Sequence, residues 1–519
     1  MRLFAFTVAV FVAAASAHAQ PLRGLTSPAQ LARVYDTIFD ARFEQVPAEL
    51  AKACPPAPAE VCTVLEAVSI WWQIQLDPNN TSHDREFLKA VNAAIDASEA
   101  WVEREPERAE AWFYLGGAYG ARVQWRVLRG ERLPAARDGK RIKDALEQAL
   151  AIDPDLHDAW FGIGLYHYYA DVAPAAAKVL RWLLFLPGGD RVKGLEEMLR
   201  ARDEGELLRS EADYQLHILY LWYEENPQRA LELLEALQLR HAENPHFPQL
   251  IAEVQDVYQH DLTASLRTWQ SLLDAAQKHK VTLPEMAEAR ARLGIALQLD
   301  RLFETDVAIE QLRAVIALHP IAPFGAGAQA QLQLGQALDR MGLRDEAVAA
   351  YRAAIAGTVG HDPLHIVEQA KTGLKKKPDA AVANAYRLSI EGWRALERGD
   401  LASATRLIAQ SIELQPRDPV MRYRESRLLH AKKDDAAALR VLDAIVSSRS
   451  ATPPTIYGFA CVDAARLLEQ RGDRPRAIEL YRTARDVFGA DQRTKDAAHR
   501  ALSRLSSLSQ SPSRRTRQR

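Results

Sequence analysis

Small and bulky apolar residues recur along this chain at helical spacing. In three stretches a glycine is followed five positions on by an alanine. A bulky residue comes four further, and a small one three after that. The sets are Gly342-Ala347-Tyr351-Ala354, Gly399-Ala404-Ile408-Ser411 and Gly472-Ala477-Tyr481-Ala484. Steps of three and four put the later members on one face of a helix. No long stretch alternates as a half-buried strand would. Ala, Leu, Arg and Glu, all strong helix formers, dominate the composition. From Ala404 to Ala438 is 34 residues, and from Ala438 to Ala477 is 39. A period of that length predicts stacked helical hairpins, each burying its apolar face only against its neighbours. The fold class expected is all-α, a superhelical solenoid of antiparallel helix pairs.

Upstream, the same pattern predicts a short helix over 31–43, an amphipathic helix over 63–76 with Trp71 and Trp72, a turn at 77–82 and a helix over 84–103. Later hairpins centre on Ala230, near Ser265, and on Ala308, Ala347, Ala404, Ala438 and Ala477. The longer gap between Ala347 and Ala404 leaves an insert at about 357–383, with a helix over 363–377. That insert is expected to break the superhelix. The organisation expected is a signal at 1–19, an N-terminal segment at 20–62, an irregular array at 63–280, a regular array at 281–505 and a disordered basic tail at 506–519.

The hairpin around residue 130 carries Trp112, Leu115, Gly116 and Tyr119 on its first helix, and Ala149 and Pro154 at the end of its second. Trp160, Ile163 and Gly164 open the next unit in register. This set resembles the tetratricopeptide repeat family, and departures such as Glu391 for Leu and Ser426 for Gly weaken single units only. Over about 160–232 the spacing of Gly164, Tyr166, Pro174, Lys178, Phe185, Gly188, Asp190 and Gly194 is similar to a eukaryotic tetratricopeptide family linked to inclusion-body clearance. The resemblance implies a protein-binding scaffold and supplies no catalytic residues. The peptide-carboxylate clamp of chaperone-binding members needs Lys and Asn at set positions. Those positions hold Phe113 and Gly117, Leu332 and Gln336, and Tyr423 and Arg427, so that clamp is not expected. Trp393 is expected on the concave face, as an aromatic anchor or packed against the next hairpin.

At 519 residues the chain exceeds one ordinary core, a limit that a solenoid avoids by adding units. A net charge of −2 favours neither nucleic acid nor an anionic membrane. Arg2, the apolar stretch 3–15 and Ala17-His18-Ala19 form an export signal with cleavage expected after Ala19. The alternative is a retained N-terminal anchor. No later segment is long and apolar enough to span a membrane. The mature protein is therefore expected in a periplasm or outside the cell. In that oxidising setting Cys54 and Cys62, flanking a proline-rich turn, read as a disulfide loop rather than half of a metal site. Cys461 lies in an apolar helical stretch and reads as a buried small hydrophobe.

Between Gly120 and Lys143 lie eight basic residues. Arg122, Arg126 and Arg129 share a helical face and suit an oxyanion or acidic peptide, unless neighbouring acids pair with them. Tyr166 and Tyr168 belong to an apolar, aromatic region at 160–186, either a pocket or an inter-helix core. The scattered histidines form no metal motif, and no G-x-S-x-G is present. No cofactor is implied. The function expected is a non-enzymatic scaffold or adaptor that holds a protein or peptide on its concave face. The alternative is a small-ligand or lipid-binding solenoid using 160–186.

Overall fold

The computed structural model describes residues 23–172 and 188–509, and among these every regular element is helical. The expected export signal, the apolar run at 179–186 and the last ten residues lie outside the described residues. The chain divides into two compact units. One holds residues up to 38 together with 43–72 and 83–212, and the other holds 39–42, 73–82 and everything from 213 on.

The N-terminal segment forms α1 (Pro28–Phe39), α2 (Val46–Ala53) and α3 (Ala59–Leu76). A Cys54–Cys62 disulfide joins the end of α2 to the start of α3. Helix α3 is not the amphipathic helix that the sequence pattern suggests. Val61, Val64, Leu65, Ala67, Ile70, Trp71, Trp72, Ile74 and Leu76 cover most of its circumference and are all buried, which leaves a narrow strip with exposed Glu66. A helix apolar over so wide an arc has to be enclosed on most sides. The first unit continues with α4 (Asp84–Arg104), α5 (Ala109–Leu128), α6 (Arg132–Ile152), α7 (Ala159–Val172) and α8 (Arg191–Glu204). Asp190 caps α8 by accepting from the Lys193 N–H. Helices α7 and α8 cross backbone to backbone: a Cβ on Gly164 would lie 2.6 Å from the Gly194 carbonyl oxygen. No larger residue fits there without moving the main chain.

Helix α9 (Arg209–Trp222) leads into α10 (Pro227–Arg240), α11 (His246–Val257) and α12 (Leu262–Gln277). Regular hairpins follow: α13 (Pro284–Arg301) with α14 (Thr305–Leu318), and α15 (Ala326–Arg340) with α16 (Arg344–Gly357). After the short α17 (Ile366–Lys375) come α18 (Ala380–Glu397) with α19 (Leu401–Leu414) and α20 (Pro419–Ala431) with α21 (Asp435–Ser447). Then α22 (Pro454–Gln470) pairs with α23 (Arg474–Asp486), and α24 (Gln492–Ser509) ends the array. It runs four residues into the stretch expected to be tail.

The glycine that opens each repeat has a backbone cause. Gly342, Gly399 and Gly472 sit in the turn between the two helices of a hairpin with φ of +75°, +78° and +86°. Only glycine adopts that region without a Cβ penalty. The same turn position in other hairpins is filled by Glu225, His260, Phe303 and Lys433, and each also has positive φ. The turn geometry is thus kept even where the residue type is lost. Inside the hairpins, Gly335 lies so close to Tyr351 that a Cβ would approach its ring to 2.6 Å. Ser426 replaces glycine at the matching place and stays buried because its hydroxyl donates to the Tyr423 carbonyl, 2.6 Å away.

The insert does not break the array. The Tyr351 ring also meets Gly373 of α17. Arg344 caps the end of that helix by donating to the Gly373 and Leu374 carbonyls at 3.0 and 2.8 Å. One apolar core runs from Leu293 past Ile366 and Ala370 to Ala385, Ile390 and Met421. The array also returns on itself. The Asp261 carboxylate, which caps α12 with one oxygen, accepts from the Gln492 N–H at the start of α24 with the other, at 2.8 Å. The His260 ring stacks edge-on against Phe488, 4.8 Å between centroids.

Candidate partner-binding site

In the first unit, the face of α5 that carries Glu110 and Gly117 looks onto the N-terminal segment. Glu110 accepts from the Thr26 N–H at 2.7 Å and from the Thr26 hydroxyl at 2.8 Å. Arg108 donates to both partners at 2.9 and 2.8 Å. Asp153 accepts from the Gly24 N–H at 2.7 Å. Leu31, Val34 and Ile38 of α1 are fully buried. Burial first, then the Glu211 and Asp158 carboxylates, push the Tyr35 phenol far above its usual range. Val64 of α3 lies under Gly117, and Phe87 stacks between Trp71 and Trp125. This face is filled by the chain's own N-terminal residues.

The basic stripe is held by carboxylates of neighbouring helices. Arg122 makes a two-pronged bond to Asp138, both arms 2.9 Å. Arg126 pairs with the same carboxylate, which is almost wholly buried. Arg129 reaches Asp84 with arms of 2.7 and 2.8 Å. The three arginines therefore tie α4, α5 and α6 together. Tyr168 is fully buried against Gly194. Tyr166 lies half-buried beside the Lys143 ammonium, 5.9 Å away. The rest of the aromatic region, 173–187, lies outside the described residues.

In the second unit, Trp393 of α18 has the Arg424 guanidinium over its ring at 6.0 Å. That neighbourhood is filled by the turn between α13 and α14. Arg394 binds Asp306 with two arms of 2.8 Å and also pairs with Glu304. Hydrogen bonds to Asp306 are the largest reason its acidity is suppressed. Arg424 donates to the Ser389 hydroxyl at 2.9 Å and to the Phe303 carbonyl at 2.6 Å, and its burial pulls its pKa down. The hydroxyls of Thr305 and Tyr386 lie 2.8 Å apart. Trp393 is therefore not on an empty groove.

Farther along, the inner helices α20, α22 and α24 leave two adjoining hollows. One, of about 100 Å³, is lined by Arg427, His430, Asp463 and Arg466. The other, of about 610 Å³, is lined by Arg466, Glu469, Tyr481, Arg500 and Arg504. Asp463 accepts from Tyr423, Arg427 and Arg466 at 2.9 to 3.1 Å. Glu469 accepts from Arg504 at 2.8 Å and from Tyr481 at 3.2 Å. Arg500 is exposed on the wall of the larger hollow, with no carboxylate on it among the described residues. Four arginines thus face two carboxylates. In the sequence Arg427 stands out only as a residue at a clamp position. The same repeat position one hairpin on is Arg466, 39 residues later, the step that separates Ala438 from Ala477. Arg500 and Arg504 follow one helical turn apart on the next inner helix.

Other chemistry is sparse. His167 meets Glu197 at 2.7 Å. His217 and His246 are buried around Tyr214, and burial lowers their pKa values to about 4 and about 3. The Cys461 thiol is buried and pushed up to about 11 by desolvation, which leaves it a poor nucleophile. Among the described residues no group of three or more His, Cys, Asp or Glu is arranged to hold a metal ion. No described helix is long and apolar enough to cross a membrane.

A family model for the tetratricopeptide repeat matches residues 391–453, which span the end of α18 through α21. Those residues match the tetratricopeptide repeat. The helical hairpins outside that window keep the same positive-φ turn. Solved structures similar to it include a Rap protein complexed with competence and sporulation factor, at 14% identity over 92% of this chain and 98% of that one, with a TM-score of 0.34. A tetratricopeptide repeat protein from Parabacteroides merdae ATCC 43184 is 14% identical over 56% of this chain and 98% of its own, with a TM-score of 0.25. Yeast Tom70 is 13% identical over 85% and 97%, with a TM-score of 0.26. No curated protein matches the chain, so the local resemblance over 160–232 has no relative to support it.

Proposed function

We infer that this tetratricopeptide repeat protein is a non-enzymatic scaffold or adaptor of the periplasm, exported by its N-terminal signal, that holds a protein or peptide partner on the inner face of its last hairpins. The observation that carries the reading is the uncovered, arginine-lined hollow across α20, α22 and α24. The corresponding face of α5 is already occupied by residues 24–26 and 64. Inner-helix side chains on a solenoid form an extended surface suited to a peptide. The Cys54–Cys62 bond supports an oxidising compartment.

Photo-crosslinking tests the partner claim. A crosslinker in place of Arg500 is expected to capture a protein partner in the cell envelope, while one in place of Val64 is expected to yield only intramolecular product. Equal capture from both positions would refute the placement. Mass measurement of the mature N-terminus tests export: a chain beginning at Gln20 is expected, and one beginning at Met1 sinks that part.

A further inference from the structure

We propose that the hollow between α22 and α24 binds an acidic peptide segment, whose side-chain carboxylates seat on Arg500 and on the outer edges of Arg466 and Arg504. This deepens the partner-binding reading above and rests on it.

The second unit itself displays how its inner helices take an acidic segment. Phe303, Glu304, Thr305 and Asp306 lie against α18 and α20. Arg394 receives both carboxylates, Arg424 receives the Phe303 carbonyl, and the Tyr386 hydroxyl meets Thr305. One guanidinium thus binds side-chain carboxylates and the next binds main chain. Two hairpins on, the same kind of arginine-bearing inner surface carries no such segment among the described residues. Arg427, Arg466, Arg500 and Arg504 line it, while Asp463 and Glu469 are the carboxylates among them. Those two carboxylates are already shared among arginine and tyrosine donors.

The excess charge is therefore cationic, and guanidinium pairs best with planar oxyanions. Its layout decides between a point anion and a chain. The arginines are spread over three successive inner helices, and the larger hollow has a volume of about 610 Å³. An extended segment with spaced carboxylates meets several of these groups together, whereas a single phosphate reaches one or two.

The test uses the full mature chain and a fluorescein-labelled, end-blocked peptide copying residues 302–309, Leu-Phe-Glu-Thr-Asp-Val-Ala-Ile. A second peptide carries Gln and Asn in place of its two acids. The acidic peptide is expected to bind, and the neutral one to bind at least tenfold more weakly. Arg500→Glu is expected to weaken the acidic peptide at least tenfold. Arg352→Glu, which alters another exposed arginine on α16, is expected to leave it unchanged. Affinity is expected to fall as salt rises. Equal binding by Arg500→Glu overturns the proposal. So does tighter binding of a single-stranded oligonucleotide of equal charge that is lost in Arg500→Glu. If a protein partner is captured equally by Arg500→Glu and wild type, the acidic groove is wrong and the scaffold reading survives. If wild type takes neither peptide nor partner, both fail.

Discussion

The inner face of α5 and the inner face of α22 and α24 are built by the same hairpin rule and differ in what lies on them. Glu110 of α5 and Asp153 at the end of α6 meet backbone N–H groups of residues 26 and 24, and apolar residues of α1 and α3 fill the remaining space. At α22 and α24, arginines surround a hollow. A solenoid repeat buries the surface between its own helices and its neighbours, but its inner face has no automatic partner. In the first unit the chain supplies one from its N-terminus, and the match is mostly apolar and so permanent. In the last hairpins the face stays polar and charged, which keeps it stable in water while uncovered.

The largest effect is expected on the covered face. Trp72→Ala removes a fully buried ring of α3 and is expected to cost about 3–5 kcal/mol, read from denaturant unfolding. A loss under about 1 kcal/mol breaks the comparison, because α3 would then be an appendage rather than a filling.

Next comes the arginine stripe. Asp138→Ala leaves Arg122 and Arg126 without their shared, buried carboxylate. It is expected to cost about 3 kcal/mol, with the loss showing as earlier proteolysis between α5 and α6. An unchanged unfolding midpoint places those arginines in solvent instead.

Acid is expected to act on the second unit through His217 and His246. Their folded pKa values, about 4 and about 3, lie below the ordinary 6.5 because burial disfavours the charged ring. The unfolded chain takes up protons as pH falls below 6.5 while the folded one does not. Stability is therefore full above about 6.5 and is lost progressively down to the folded pKa values. By pH 5 the loss is about 2 kcal/mol for each histidine. Urea midpoints at pH 7 and pH 5 measure it, and a flat profile shows that both rings are solvated in the folded chain.

The smallest effect is expected at the open face. Arg500→Ala, on an exposed side chain, is expected to change stability by no more than about 0.5 kcal/mol. A larger loss means that Arg500 braces the fold rather than waiting for a ligand.

Much of the fold was legible in the sequence because helical hairpins print their own rules locally. Positive φ in the turn selects Gly342, Gly399 and Gly472, and close helix approach selects Gly335 opposite Tyr351. Both constraints act over a few residues. The Cys54–Cys62 loop was legible for the same reason. The filling of the inner face was not, because apolar periodicity shows which side of a helix seeks cover and not which distant segment provides it. Helix α3 did carry a signal, since its apolar residues cover most of its circumference and leave only a narrow strip at Glu66 for water. The chain around Trp393 shows the same limit. Its position in the repeat points inward, yet the α13–α14 turn that lies there is about 90 residues away in sequence and enters through contacts that no local pattern records.

The Asp261 carboxylate holds the main chain of Gln492, and this gives the second unit a mechanical character unlike that of an open spring. An open stack of repeats frays at its terminal helices and lengthens under load one hairpin at a time. Here the final helix is clasped to the turn between α11 and α12 of its own unit, so stretching has to break the clasp before any hairpin between them peels away. Under tension such a unit yields late and all at once, like a buckle rather than a coil.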